Sequence, residues 1–113
     1  MGKLTTHVLD IFNGHPAKNM TIELWQISPE RKHILTVVTN DDGRCDAPLL
    51  SGDAMVAGEY ELLFHVRDYF EAIDIASPFL NQVPIRFSVF DATAHYHVPL
   101  SMSPWAYNTY RGS

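Results

Sequence analysis

The sequence predicts a mainly β fold, an antiparallel β-sandwich of seven or eight strands with one short helix. Three observations lead to this prediction. Short segments of alternating or β-branched residues recur along the 113-residue chain, turn-forming residues separate them, and no linker or low-complexity tract divides them. Short strands at such spacing are typical of a sandwich. Because a chain of this length with 46% hydrophobic residues is expected to form one core, we predict a single domain over residues 1–113.

The predicted strands follow one another from end to end of the chain. They cover residues 4–11, 20–27, 33–39, 59–66, 85–90, 95–100 and 105–110. The segments between them include NGHPAKN, SPER, NDDGRCD and SMSP, whose Gly, Pro, Asn, Asp and Ser residues favour turns.

One segment, DYFEAIDI, departs from the strand pattern. Asp68 is followed three residues later by Glu71, which predicts an N-cap and its capping partner. Phe70 and Ile73 would share one face of a helix, and Pro78 lies beyond its end. We therefore predict one short helix here.

Alternation predicts which side chains point away from the core. In HYHVPL the apolar residues alternate with His95 and His97, so both histidines face outward if the apolar set fills the sandwich. In LTTHVLDI, His7 shares its face with Leu9 and Ile11. A face that holds histidines and two large aliphatic side chains is too apolar to remain in water. We predict that another subunit covers it, so that a site on this face would form at an interface.

The histidines allow three interpretations. His95 and His97 place two imidazoles about 6 to 7 Å apart on one side of a strand, and His7 could complete a metal site. No Cys or carboxylate shares that spacing, which favours proton transfer instead, because histidine titrates near neutrality. A solvated polar face without chemistry is the third interpretation.

Arg44 directly follows the turn TNDDG. Arginine at such a position is commonly a solvated surface charge. Its forked guanidinium nevertheless suits an oxyanion or a planar, urea-like substrate.

Charge and composition exclude several classes of protein. The net charge of -5, with both signs interspersed, lacks the basic patch of a nucleic-acid binder. No apolar run approaches the roughly 18 to 20 residues that span a bilayer, so we expect neither nucleic acid nor membrane as a partner. No nucleophile-elbow or phosphate-loop motif is present. We expect a cytoplasmic protein, although a mature periplasmic form with a new initiator Met would look the same.

Taken together, the motifs resemble one family. LTTHVLD near the start, TNDDGR in the middle and HYHVPL followed by YNTYRGS at the end are similar, in order and spacing, to the transthyretin-like 5-hydroxyisourate hydrolases. The intervening GEYELLF and SPF extend the resemblance over essentially the whole chain. The final YRGS is the discriminating motif, because it resembles the hydrolases and not the hormone-carrying transthyretins.

The resemblance implies a homotetramer, a dimer of dimers with its sites in the channel between the dimers. It implies hydrolysis of 5-hydroxyisourate to 2-oxo-4-hydroxy-4-carboxy-5-ureidoimidazoline in urate (purine) catabolism, with no cofactor and no metal. The positions implied as catalytic are His7, Arg44, His97 and Ser113. Those implied in substrate binding are His7, Arg44, Tyr110, Arg111 and Gly112.

The resemblance also suggests roles for these residues. His7 and His97 would share the proton transfer, either one acting as the base, and Arg44 would orient the substrate and stabilise negative charge. At the terminus, Arg111 would be a second cation or an anchor, and the carboxylate of Ser113 would fix a histidine tautomer or the water. Ser101, Trp105 and Asn108 depart from the family's usual ending. A hormone carrier and a zinc hydrolase built on His7, His95 and His97 are the alternatives.

Overall fold

The computed structural model describes residues 2–112, which form eleven short strands and one α-helix. The strands are β1 (Lys3–Thr5), β2 (Val8–Asp10), β3 (His15–Pro16), β4 (Thr21–Ser28), β5 (Lys32–Val38), β6 (Leu50–Ser51), β7 (Gly58–His65), β8 (Gln82–Val89), β9 (His95–His97), β10 (Leu100–Met102) and β11 (Tyr107–Thr109). Helix α1 (Val66–Glu71) lies between β7 and β8, and a 3-10 turn (Gly52–Ala54) follows β6.

These strands form the two layers of a sandwich. One layer is an antiparallel sheet of order β5-β4-β7-β8. The other consists of two smaller sheets, β6-β1-β9 and β11-β10-β2-β3. Backbone hydrogen bonds from Val98 to Thr5 and from Leu100 to His7, each 2.9 Å, join those two sheets into one irregular layer. The predicted mainly β sandwich with one short helix is confirmed, although eleven short strands are present where seven or eight were predicted.

The second layer contains parallel pairs that the sequence does not indicate. β1 runs parallel to β9, and β2 runs parallel to β10. Alternation reports which face a residue occupies, but it carries no information about the direction of the partner strand. The two ends of the chain therefore lie side by side, and residues near position 5 meet residues near position 97.

Two predicted strands are each broken in the middle. The strand predicted over residues 4–11 forms β1 and β2 with a break at residues 6 and 7. The strand predicted over residues 95–100 breaks at residues 98 and 99, so it forms β9 and only the first residue of β10. Pro99 lies in the second break and has no N–H to donate to a neighbouring strand. The breaks lie beside each other, so the irregular part of this layer is where His7 and His97 are placed.

The predicted faces agree with the observed burial. Leu4, Thr6 and Val8 are buried, as are Tyr96, Val98 and Leu100. On the opposite face, Leu9 is 36% exposed and Ile11 is 57% exposed. The outward face of β1, β2 and β9 thus combines histidines with uncovered aliphatic side chains.

The helix begins earlier than predicted. Its first residue is Val66, and His65 occupies the N-cap position without a side-chain cap hydrogen bond. Asp68 therefore lies inside the first turn, and the predicted capping pair of Asp68 and Glu71 is wrong. Burial of Val66 and Phe70 against the core outweighs the local capping signal. No helix among residues 2–112 is long and apolar enough to cross a membrane.

Candidate active site

Three segments that are distant in sequence meet on the outward face of the irregular layer. Thr5 on β1 lies directly opposite His97 on β9. On the other side of His97, Gly112 forms an isolated bridge with it, and His7 forms a similar bridge with Arg44. The fold thus places His7, Arg44, His97 and Gly112 in adjacent segments of backbone.

His97 is held in an environment that favours its neutral form. Its Nδ1 lies 2.9 Å from the hydroxyl oxygen of Thr5. Partial burial lowers the pKa of the His97 imidazole, and the neighbouring charges of Arg44 and His7 lower that pKa further. A neutral imidazole has a nitrogen lone pair, so His97 is able to act as a general base near neutral pH.

His7 is oriented by the turn that precedes Arg44. Its Nε2 lies 2.9 Å from the carbonyl oxygen of Asp42. Because a carbonyl oxygen only accepts hydrogen bonds, Nε2 carries the hydrogen and donates it. In neutral His7 the lone pair is therefore on Nδ1.

The turn itself is held by Asn40. The Asn40 side-chain oxygen accepts hydrogen bonds from the backbone N–H of Asp42, at 2.9 Å, and of Arg44, at 3.1 Å. Gly43 adopts a φ of +73°, and a Cβ at this position would lie 2.4 Å from the carbonyl oxygen of Val8. Only glycine fits this close approach, which sets the direction in which Arg44 leaves the turn.

The Arg44 side chain is exposed and lines a cavity of about 360 Å³. Among residues 2–112, no carboxylate lies within ion-pair distance of its guanidinium. The other residues around the cavity are Lys3, Thr5, Thr6, Cys45, His95 and His97. The cavity thus combines cationic donors with a neutral histidine, an arrangement that suits an electron-rich, oxygen-bearing ligand.

The terminal motif is fastened along β9. The Gly112 N–H donates to the carbonyl oxygen of His97 at 2.6 Å, and the His97 N–H donates to the Gly112 carbonyl oxygen at 3.4 Å. The Arg111 guanidinium donates to the carbonyl oxygen of His95 at 2.9 Å and lies 4.4 Å from the centre of the Tyr96 ring. Arg111 was considered either as a second cation of the site or as an anchor of the terminal segment, and these contacts favour the role of an anchor.

Among the described residues predicted for the site, Arg44 and His97 line this cavity, whereas His7, Tyr110, Arg111 and Gly112 are not among its lining residues. Tyr110 is 61% exposed and lines a different, apolar cavity of about 280 Å³ between β8 and the end of the chain. Ser113 lies outside the described residues. Asn108 is paired with Ser101 on the outward face, beyond the residues around the 360 Å³ cavity.

Thr5 and Asp42 contact the predicted histidines but were not predicted as site residues. Alternation places Thr5 on the same face as His7, and this is the signal that would have found it. Asp42 contacts His7 only through its backbone carbonyl group. Every residue type has this group, so the sequence gives no signal for the contact. Within the part of the chain described, no three His, Cys, Asp or Glu side chains are arranged to hold a metal ion.

Comparisons with known proteins identify the family and relatives of this chain. The model of the HIUase/Transthyretin family matches residues 4–112. A 5-hydroxyisourate hydrolase of Ralstonia nicotianae is 56% identical over the full length of both chains. The structure of Klebsiella pneumoniae 5-hydroxyisourate hydrolase superposes with a TM-score of 0.85 at 33% identity, covering both chains completely. Sea bream transthyretin in complex with thyroxine superposes with a TM-score of 0.89 at 25% identity, covering 97% of this chain and 94% of the other.

Proposed function

We propose that this chain, which belongs to the HIUase/Transthyretin family, hydrolyses 5-hydroxyisourate to 2-oxo-4-hydroxy-4-carboxy-5-ureidoimidazoline. The observation that carries this proposal is the neutral His97 that shares one cavity with Arg44, with His7 close enough for its charge to lower the pKa of His97. The full-length match to a 5-hydroxyisourate hydrolase of Ralstonia nicotianae identifies the substrate.

The chemistry required is addition of water to a lactam carbonyl, followed by cleavage of the C–N bond. His97 takes a proton from water at Nε2 as the oxygen bonds to the carbonyl carbon. Arg44 stabilises the negative charge that develops on the carbonyl oxygen. The ring nitrogen then leaves and takes a proton from the His97 imidazolium, so the enzyme returns to its starting state.

His7 contributes a second acceptor to this scheme. Its Nε2–H is committed to the Asp42 carbonyl oxygen, which leaves Nδ1 to accept a hydrogen bond. We assign His7 the task of orienting the attacking water and sharing its proton. The terminal residues close the site. Gly112 packs against the His97 ring, and Arg111 anchors the segment. Tyr110 forms part of the wall of the channel between the two dimers of the proposed tetramer.

A carrier of an apolar ligand is the alternative function, because sea bream transthyretin shares the fold and binds thyroxine. Two features of this chain favour hydrolysis over carriage. Its identity to the Ralstonia hydrolase is 56%, against 25% to that transthyretin. Its cavity also presents Lys3, Arg44 and His97, whereas sites for large apolar ligands are predominantly apolar.

The same proposal includes a homotetramer, a dimer of dimers. β8 pairs only with β7, and β11 pairs only with β10, so both strands present free edges within the described chain. Phe79 and Trp105 stack on each other at the surface and are 66% and 61% exposed. Free edges and exposed aromatic pairs are features that association covers. A second contact, through Leu9 and Ile11, would enclose the outward face that carries the histidines.

The function is tested by supplying the substrate directly. Urate oxidase generates 5-hydroxyisourate in solution, and its spontaneous decay is followed by absorbance with and without the protein. We expect the protein to accelerate the decay in proportion to its concentration, also in the presence of a chelator. Tight binding of thyroxine without any acceleration would support the carrier instead, and activity lost to the chelator would support the zinc hydrolase.

A further inference from the structure

The His97 ring is clamped between two neighbouring segments of backbone. On one side, the Thr5 hydroxyl oxygen lies 2.9 Å from Nδ1. On the other side, a Cβ placed on Gly112 would fall 2.9 Å from Cδ2 of the same ring, so the glycine backbone lies directly against that edge. Nδ1 and Cδ2 are thereby occupied. Within residues 2–112 no hydrogen bond is made to Nε2, which is the nitrogen left for chemistry.

The contact between Thr5 and Nδ1 is compatible with two positions for the proton of neutral His97. A hydroxyl group can donate or accept, so the contact permits either tautomer. For Nε2 to take a proton from water, however, its lone pair must be free, which requires the hydrogen on Nδ1 and the Thr5 oxygen as acceptor.

We propose that Thr5 is a positioning residue for His97, its hydroxyl oxygen accepting the Nδ1–H so that neutral His97 presents the lone pair on Nε2. The inference rests on the proposed function, because it specifies how the base of that reaction is held ready. The same hydrogen bond persists when Nε2 takes up its proton, since Nδ1 remains protonated in the imidazolium. The ring therefore needs no rotation during the reaction.

A hydroxyl suits this task better than a carboxylate would. A carboxylate on Nδ1 orients a histidine in the same manner, but its charge also stabilises the imidazolium and raises the pKa of the imidazole. Thr5 is neutral, so it selects the tautomer without opposing the lowered pKa of His97. The other titratable or cationic groups nearby are His7, Arg44, Lys3, His95 and Cys45, and the test below leaves all five unchanged.

The chain offers a matched control on another strand. The control is Thr36 on β5, whose hydroxyl oxygen lies 2.8 Å from Nε2 of His33, and neither of these two residues lines the 360 Å³ cavity. Thr5→Val and Thr36→Val each replace one hydroxyl beside a histidine ring by a methyl group and keep the β-branched shape that strands favour. Only the first removes a hydrogen bond from His97.

We expect Thr5→Val to lower kcat by about 10- to 100-fold, by analogy with the loss seen when a metal-bound histidine loses the partner that orients it. KM should change less than kcat. Thr5→Ser restores the hydroxyl and should recover most of the rate. Thr36→Val should leave kcat within about twofold of the original protein. A Thr5→Val protein with unchanged kcat would overturn the proposal, as would an equal loss in Thr36→Val.

The tautomer is measured independently of activity by nitrogen-15 NMR of the His97 ring in the unsubstituted protein. The proposal requires neutral His97 to carry its hydrogen on Nδ1, and Thr5→Val to shift the population toward Nε2–H. A hydrogen on Nε2 in the original protein would overturn it. The NMR measurement needs no substrate, so it tests the role of Thr5 separately from the proposed function. If the protein failed to accelerate the decay of 5-hydroxyisourate, the proposed function would be refuted, but the NMR result would still decide which nitrogen of His97 carries the hydrogen.

Discussion

At the scale of single residues, the site depends on the burial of one imidazole and on the positive charges beside it. Burial is the largest cause of the lowered pKa of His97, followed by Arg44 and then His7. Each of these disfavours the protonated ring, because protonation would add a positive charge to a partly buried place that already holds one. The base form of His97 therefore persists to lower pH than that of an ordinary histidine.

Neutralising Arg44 should raise the pKa of His97. Arg44→Gln removes a nearby positive charge, so protonation becomes easier, although burial still keeps the pKa below its ordinary value. Lys3→Gln is the control, because Lys3 lines the same cavity but is not among the causes of the shift. NMR titration of the His97 ring measures both. If Arg44→Gln left the pKa unchanged or lowered it, the electrostatic account of the site would be wrong.

The geometry of Arg44 should matter as well as its charge. Arg44→Lys keeps the positive charge but loses the planar fork that can hold an oxygen with two parallel hydrogen bonds. We expect kcat/KM to fall by at least about tenfold, toward the 10²- to 10³-fold cost of losing an oxyanion donor. Steady-state kinetics on freshly generated 5-hydroxyisourate measure the effect. Full kcat/KM in Arg44→Lys would reduce Arg44 to a solvated surface charge.

Sequence reasoning reached the histidines but not their immediate partners. The motifs around His7, Arg44 and His97 single out residues whose side chains have distinctive chemistry. Thr5 has an ordinary side chain, and its role follows only from the parallel pairing that sets residue 5 opposite residue 97. That pairing joins the two ends of the chain, which no local pattern in the sequence records.

At the scale of elements, the turn over residues 40–44 links backbone shape to the site. Gly43→Ala adds a Cβ at a φ of +73° and against the Val8 carbonyl oxygen. Gly14→Ala is a matched control, because Gly14 has a φ of +81° but no neighbouring atom within 4 Å. Both lose about 1 kcal/mol or more through the left-handed backbone. We expect Gly43→Ala alone to lose activity and the larger share of stability, as measured by thermal unfolding and kcat/KM. Equal effects would show that the close approach is unimportant.

The C-terminal segment should be required for activity and dispensable for folding. Deleting residues 110–113 removes the backbone bridge to His97 and the Arg111 anchor, neither of which belongs to the hydrophobic core. We expect the melting temperature to fall by a few degrees at most while activity is lost.

A polar tag appended after Ser113 is a milder version of the same test, and a tag before Met1 is its control. The C-terminal tag should leave the protein folded but mostly inactive, whereas the N-terminal tag should have little effect. A C-terminally tagged protein with full turnover would show that the end of the chain is ordinary surface.

The helix and the strand breaks show where element prediction ends. Residue type and spacing predicted that a helix follows β7, but its start at Val66 depends on burial in the assembled core. The breaks at residues 6–7 and 98–99 depend likewise on two strands becoming irregular together. Both features depend on contacts between segments that are distant in sequence, so the residues of one segment alone do not predict them.

At the scale of the whole molecule, the proposed tetramer explains surfaces that a monomer would leave uncovered. Phe79→Ser and Trp105→Ser should weaken association, because each removes half of the exposed stacked pair. Val56→Ser is the control, since Val56 is 49% exposed in the segment between β6 and β7. Sedimentation velocity measures the assembly, with circular dichroism to check the fold. Intact tetramers in both aromatic variants would place the interface elsewhere.

The central claim is that His97 is the base of a hydrolase, and one assay tests it most directly. The decay of enzymatically generated 5-hydroxyisourate is compared for the original protein, His97→Asn and His95→Asn at equal concentration. The account predicts that His97→Asn lowers kcat by about 10²- to 10⁴-fold, the usual contribution of general acid–base catalysis, while His95→Asn retains most of it. Loss of activity in His95→Asn with full activity in His97→Asn would contradict the account.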